Sequence, residues 1–432
     1  MLTLERPTEL ELQPTVPDNQ VVFGPLGEAA LLSAGLDYYK PTMSQLAFEK
    51  HAEDDVTFRM HNRGEQRLAD YVEPISLQRR FDQLRQRGWQ ASELQYLAER
   101  HNEAGERVFS DGYLAHLAAY DMPRAEVIMD ETGDIGVETT GKWPLVTFWE
   151  TVVMSEINEA YFESYLVAHD LDPLAVYEEG DKRLSEKVAL LQQRPDIKIA
   201  EFGTRRHFSL RWQKHVIERL QQECPDNIVG TSNVALAQST GLKPIGTFAH
   251  EMPMVYAGLA DIAGADLPAS HAEFLDDWYE QYGKDLSIAL TDTFTTDFFF
   301  ENFTAEQAAN WRGVRQDSGD PFAFGERLIS FYEQHGIDSK TKTVVFSDGL
   351  DIEQIVKLQD TFGDRLNVLF GWGTDLTNDL GIKALNIVMK ATHVRTTDGE
   401  ANTVKLSDNV GKHTGPPELV ERYQQIFTPR KD

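Results

Sequence analysis

Seven short segments of this 432-residue chain bring together side chains suited to phosphate, sugar and acid-base chemistry: EFGTRRHF, GTSN, AHE, TD, RQDSGDP, SDGLD and GWGTD. Each directly follows a short apolar run. Turn formation and helix capping account for the Gly, Ser, Thr and Asp of GTSN and of the TD at Asp292. They do not account for Arg205 with Arg206, for Arg315 or for His250, since long cations and imidazole are poor turn formers. In GWGTD, Gly371, Gly373 and Thr374 offer a backbone that a phosphate can approach closely, and a plain tight turn is the competing reading. Arg315 beside Asp317 and Asp320 suits either a sugar and an anion or an internal ion pair. His250 is either a buried structural histidine, the commoner fate, or a base or nucleophile toward phosphoryl groups.

The elements that must position these residues are legible as alternation. Apolar runs around 198–202, 227–230, 244–249, 286–291, 313–316, 343–347 and 367–371 read as strands, most followed by helical segments such as SLRWQKHVIERLQQ and LDIEQIVKLQDTFG. Strands alternating with helices of this length predict parallel βαβ units, and seven of them favour an α/β barrel over an open sheet. The listed segments all sit at C-terminal strand ends, the face on which barrels build their sites. Upstream, helical spacing from Pro74 to about His101 and after Pro144 predicts an N-terminal α/β domain. The expected division is an extended arm over 1–30, the N-terminal α/β domain over 31–155, the barrel over 156–395, and a segment over 396–432 packing back on the N-terminal domain.

Bulk composition narrows the partners. A formal charge of −29, from 41 basic and 70 acidic residues, repels nucleic-acid backbones and anionic lipid, so neither nucleic acid nor membrane is expected. Arg and Lys clusters run against that trend, and an anionic ligand explains them. The single cysteine, Cys224, forms no internal disulfide, no apolar run is long enough to span a membrane, and the first residues do not resemble a signal peptide. A cytoplasmic protein is expected.

The motifs LDYYKPTM, EFGTRRHFS, VGTSN, GTFAHE, IALTDTF, VRQDSGDP, VFSDGLD, FGWGTDLTND and VKLSDNVGK occur in an order that resembles bacterial nicotinate phosphoribosyltransferases, over about residues 33 to 428. The resemblance implies the type II phosphoribosyltransferase fold, an irregular α/β barrel with an N-terminal α/β domain packed on it. It also implies a homodimer with active sites drawing on both subunits, and a dependence on Mg2+ and ATP. The implied reaction joins nicotinate to 5-phosphoribosyl-1-pyrophosphate, with ATP hydrolysis, to give nicotinate mononucleotide and pyrophosphate. It is the first step of NAD salvage from nicotinate, classed with the ligases.

Roles carried over by resemblance match physical need. His250 corresponds to the histidine that ATP phosphorylates. Tyr39 and Phe202 resemble the pair that sandwiches the pyridine ring, and Arg205 the guanidinium that receives its carboxylate. Nicotinamide-specific relatives carry an acid where this chain has Ser232, so a nicotinamide phosphoribosyltransferase is the alternative that Ser232 argues against. Asp317 and Asp348 correspond to groups on the ribose hydroxyls, Arg315 and Lys182 to groups near phosphates, and Gly371, Gly373 and Thr374 to the 5-phosphate cradle. Lys405, Asp408 and Lys412 fall in the same anion region, and no metal ligand is assigned. Several relatives have an arginine after the Gly-rich loop where this chain reads LTND, which leaves Lys383 as the expected replacement cation.

Overall fold

The computed structural model describes residues 31–409 and 411–428, so the expected arm at 1–30 lies outside the described residues. An antiparallel sheet and a parallel sheet organise the chain. Strand β1 (Asp55–Asn62) alternates buried Val56, Phe58 and Met60 with outward polar residues, as a sheet with one covered face requires. It pairs with β3 (Ile135–Lys142) on one side, and β3 pairs with β2 (Ala125–Met129). The helices Pro74–Arg87 and Trp149–Ala168 pack against this sheet, whereas Tyr39–His51 packs on the short turn of helix at Trp143–Val146, which itself touches β1 and β3 just before the helix Trp149–Ala168 begins. That arrangement fits the helical spacing read from the sequence after Pro74 and Pro144.

The second sheet is parallel and six-stranded. Its strands are β4 (Ile199–Glu201), β5 (Ile228–Thr231), β6 (Ile288–Leu290), β7 (Gly313–Gln316), β8 (Thr343–Phe346) and β9 (Asn367–Trp372), in the order β5-β4-β9-β8-β7-β6. Helices such as Leu210–Glu223, Pro321–Gln334 and Ile352–Phe362 lie between successive strands, as βαβ units demand. The run at 244–249, expected as a seventh strand, is not one. It makes a single bridge from Pro244 to Thr231, accepts the Thr231 amide at the Lys243 carbonyl, and contacts the other edge where Thr247 Oγ1 donates to the Ile288 carbonyl at 3.2 Å. Pro244 has no amide to give a ladder, and Gly246 is held with φ 159° where an added Cβ would lie 2.9 Å from the Tyr39 amide. This segment therefore spans the gap between β5 and β6 as bent backbone, and the barrel is irregular at the point where Tyr39 approaches.

The C-terminal part departs from the expected division. Strand β10 (Ile387–Arg395), inside the expected barrel segment, pairs antiparallel with β1, and β11 (Glu400–Asn402) adds to β10. The alternation Ile387, Met389, Ala391 buries one face on the N-terminal sheet, which a βαβ pattern search does not anticipate. The following helix, Pro417–Phe427, packs through Val420, Tyr423 and Phe427 on Ala260, Leu267 and Phe298 of helices flanking the barrel and on Phe294 of the loop after β6. The segment after 395 thus touches both units. Among the described residues no helix is long and apolar enough to cross a membrane.

Close strand packing makes one glycine decisive. A Cβ on Gly313 in β7 would lie 1.8 Å from the Thr343 carbonyl oxygen of β8, a backbone atom that cannot turn aside. Gly313→Ala is expected to lower stability by about 3 kcal/mol through overpacking. Urea unfolding that shows an unchanged midpoint would contradict this.

Candidate active site

At the C-terminal ends of the parallel strands, with the edge of the antiparallel sheet as a wall, lies a cavity of about 340 Å3. It is lined by Tyr39, Phe202, Arg205, His250, Arg315, Asp317, Asp348, Gly371, Gly373, Thr374, Lys405 and Lys412, so most of the residues singled out in the sequence converge there. Tyr39 reaches it from the same chain that supplies Phe202. Four of the sequence candidates lie elsewhere.

Phe202 is placed by the end of β4: its amide donates to the Trp372 carbonyl at 2.9 Å, and its ring lies where a Cβ on Gly371 would be, 2.5 Å away. Gly371 therefore serves ring packing as much as any phosphate. Below it, buried Glu201 accepts from the Gly203 amide, from Gln213 Nε2 at 2.9 Å and from Thr231 Oγ1. Burial pushes this carboxyl up to about 7 against those hydrogen bonds. The anchors tie the EFGTRR loop to the end of β5, and so hold Phe202 and Arg205 in register.

Arg205 stands with its guanidinium carbon 5.6 Å from the Tyr39 ring centre and its Nε 3.1 Å from Asp37 Oδ2. Asp37 also accepts from Ser232 Oγ at 2.6 Å. Ser232 is fully buried and does not line the cavity, which corrects its expected place as a substrate contact. An acid does sit beside Arg205, but it comes from LDYYKPTM. With Asp37 there, an acid at position 232 would set two carboxylates in contact, so Ser232 is neutral for the sake of Asp37.

His250 begins the helix Glu251–Ala263 and is almost fully buried. Its Nδ1 lies 2.9 Å from Thr293 Oγ1 and its Nε2 3.0 Å from Asp317 Oδ2, with Asp292 Oδ1 3.7 Å from the same nitrogen. Burial, with Lys405 nearby, depresses the imidazole to about 4 despite the two acids, so the ring is neutral at pH 7. Asp317 stays ionised: burial opposes this, but Arg315 at 3.4 Å and the contact with His250 hold its carboxyl well below the usual range. A carboxylate only accepts, so Nε2 carries the proton and Nδ1 receives the Thr293 hydroxyl.

The other expected residues separate. Lys182 is 70% exposed on the helix Pro173–Gln192, 3.9 Å from Glu179 and away from the cavity. Its phosphate role has no geometric support, because helical spacing turns it outward while Arg183 and Lys187 turn inward to Asp379, at 2.9 and 2.8 Å. Asp379 is the acid of LTND, and it occupies those two cations. Lys383 pairs with Glu65 at 2.8 Å and is exposed, so it does not replace the missing arginine. Asp408 caps the helix Thr296–Asn302, accepting from the Thr296 amide at 2.7 Å and hydroxyl at 2.6 Å, and does not line the cavity.

Three further cations line the cavity: Arg63 and Lys390, which escaped the sequence reading, and Arg206, which was noted there as no turn former but given no role. Arg206 lay inside a quoted motif, and its neighbour took the attention. Lys390 lies in β10 of the antiparallel sheet and Arg63 directly after β1, and no pattern linked that sheet to the strand ends. With Arg205, Arg315, Lys405 and Lys412 they make seven basic groups against three acids, Asp317, Asp348 and Asp375, an excess of four positive charges in a chain of net −29. Such a cavity concentrates polyanions.

The site defines a barrel protein with a cationic cavity, lined by the aromatic rings of Tyr39 and Phe202 beside a neutral buried histidine. Comparison places it more closely. The family model described as the nicotinate phosphoribosyltransferase (NAPRTase) family matches residues 197–430, and that of the family's N-terminal domain matches 35–158. The chain belongs to the nicotinate phosphoribosyltransferase family. It superposes on a nicotinate phosphoribosyltransferase of Porphyromonas gingivalis with a TM-score of 0.81 at 28% identity, covering 91% of this chain and 98% of that one. The corresponding values are 0.80, 28%, 93% and 94% for one of Vibrio cholerae, and 0.78, 26%, 94% and 99% for a putative one of Saccharomyces cerevisiae.

Neutral burial of His250 has a pH consequence. The unfolded chain takes up a proton near the ordinary value of 6.5 while the folded imidazole resists until about 4, so its contribution to stability is present above 6.5 and lost as pH falls toward 4. His250→Gln is expected to resist acid better, relative to its own stability at pH 7.5, when urea midpoints are compared at pH 7.5 and 5. Equal acid losses in the two proteins would argue against a neutral His250.

Proposed function

We propose that this protein catalyses transfer of the phosphoribosyl group of 5-phosphoribosyl-1-pyrophosphate to nicotinate, releasing pyrophosphate. The observation that carries the reading is the joining, in one cationic cavity, of the aromatic pair Tyr39 and Phe202 with Arg205 and with the His250–Asp317 contact. Tyr39 and Phe202 give faces for a pyridine ring, and Arg205 a guanidinium for its carboxylate. Asp317 and Asp348 offer oxygens for ribose hydroxyls. Their charge also favours the cationic sugar that develops as the bond to pyrophosphate breaks, while Arg315, Lys405 and Lys412 favour the departing anion.

ATP coupling through His250 is part of the proposal. A neutral imidazole whose Nε2 proton is held by Asp317 has its free lone pair at Nδ1, the nitrogen now receiving the Thr293 hydroxyl. That nitrogen can accept a phosphoryl group once the hydroxyl turns away, with ADP leaving. Asp292 Oδ1, buried without a hydrogen-bond partner among the described residues, and Asp317 are the acids that would hold Mg2+ against bound phosphates. When bound, the ion would neutralise phosphate charge.

One observation speaks for nicotinamide instead, the presence of Asp37 beside Arg205. Asp37, hydrogen-bonded by Ser232 and ion-paired with Arg205, is almost fully buried and does not line the cavity, so it is not placed to accept from an amide.

Initial rates with each base test the reading. Nicotinate is expected to be preferred by more than about tenfold in kcat/KM, roughly 1.4 kcal/mol. A comparable preference for nicotinamide would overturn it. Label from the γ-phosphate of ATP is expected on the wild type in acid-labile form and absent from His250→Ala. Arg205→Lys is expected to raise the KM for nicotinate more than that for the phosphoribosyl donor, because an ammonium lacks the planar fork.

A further inference from the structure

We propose that Lys390 is a second cation of the base subsite, receiving the carboxylate of the pyridine acid together with Arg205. This rests on the nicotinate reading above and extends it to a residue outside every motif of the barrel. Lys390 projects from β10 of the antiparallel sheet into the cavity, its side chain 14% exposed. Of its three N–H donors one has a partner among the described residues, Glu150 Oε1 at 3.2 Å. Two donors are left for a ligand in the cavity that Lys390 lines.

The other ammonium groups of the cavity are committed elsewhere. Lys405 stands 3.3 Å from Asp292 in the His250 cluster, and Lys412 is 3.2 Å from Asp348 at the ribose side. Lys390 and Arg205 instead flank one buried acid, Glu150, whose charge both stabilise after Lys40 does so most strongly against burial. Glu150 Oε2 lies 2.5 Å from Lys40, so Glu150 keeps a partner whether or not Lys390 is present. Burial lowers the proton affinity of Lys390, and Glu150 only partly offsets burial and the nearby Arg205. An arriving carboxylate would supply the missing counter-charge, and an uncharged carboxamide would not. Preference for acid over amide is then carried by the Arg205–Lys390 pair, with buried Ser232 acting only on Asp37.

The test compares wild type, Lys390→Met and Lys390→Arg in steady-state kinetics with nicotinate, nicotinamide and phosphoribosyl pyrophosphate. Lys390→Met is expected to cut the nicotinate-over-nicotinamide ratio of kcat/KM about tenfold, as for one cation removed from a desolvated carboxylate site, with the donor KM unchanged. Lys390→Arg is expected to keep most of the ratio. Should the methionine variant fail to fold, Lys390→Gln, which can still donate to Glu150, must show the same loss. An unchanged ratio, or a rise confined to the donor KM, overturns the proposal. A wild type inactive on nicotinate would overturn the underlying reading itself, whereas an active wild type whose discrimination survives the neutral variant removes only the role of Lys390.

Discussion

A fully buried ion network joins the two halves of this protein, and the geometry of the site depends on it. Lys40 Nζ lies 2.5 Å from Glu150 on the helix Trp149–Ala168 and 2.5 Å from Glu251 on the helix Glu251–Ala263. Glu251 Oε1 also accepts from Trp143 Nε1 at 2.7 Å. Burying such charges costs several kcal/mol each, which is recovered only when every member is satisfied and well oriented. The network therefore contributes little net stability. What it does is fix relative position, because Lys40 follows Tyr39 in sequence and Glu251 follows His250. Any slip of the N-terminal helix against the barrel would strand a buried charge, and that makes the separation of the stacking ring and the imidazole a discrete quantity.

The same logic governs the cavity. In a chain this acidic, a guanidinium or ammonium on the surface finds a carboxylate easily, as Arg365 does with Glu326. The cations of the cavity are kept from complete neutralisation by position: Arg206 lies in the loop after β4 and Arg63 directly after β1, and neither has a carboxylate within ion-pair distance among the described residues. Burial lowers the proton affinity of both, as expected for charges that await a counter-ion rather than hold one. The neutrality of His250 belongs with this arrangement, since a further positive charge beside Lys405 would be opposed by the same burial.

Much of the fold was legible because parallel strands and their helices obey short-range rules: a buried apolar run, a polar turn, an amphipathic helix. The strand ends at 201, 231, 290, 316, 346 and 372 fall within a residue or two of the expected ones. The run at 244–249 shows the limit of those rules, since its apolar pattern is that of a strand while Pro244 and the approach of Tyr39 deny it a ladder. Position 182 shows another. A lysine near the right place in the chain was assigned to phosphate, yet on a helix one residue of offset is a rotation of about 100°, enough to turn Lys182 to solvent and Arg183 inward. Lys390 and Arg63 were invisible because nothing local in β10 or after β1 records that the antiparallel sheet forms a wall of the barrel's mouth.

Ser232 illustrates why a discriminating position cannot be assessed in isolation. Read along the chain, it is a neutral residue where an acid would repel a carboxylate, and selectivity is assigned to the absence of charge. In three dimensions the acid is present as Asp37, neutralised on one side by Arg205 and hydrogen-bonded on the other by Ser232. An acid delivered from position 232 would need a site in which Asp37 was absent or protonated, since two ionised carboxylates within hydrogen-bonding distance are not tolerated in a buried setting. The pair Asp37 and Ser232 thus acts as a unit: Asp37 holds the Nε edge of the guanidinium, leaving its terminal nitrogens for the ligand. Selectivity for an acid then depends on how much positive charge remains uncancelled at the cavity surface, a property of the whole wall and not of one residue.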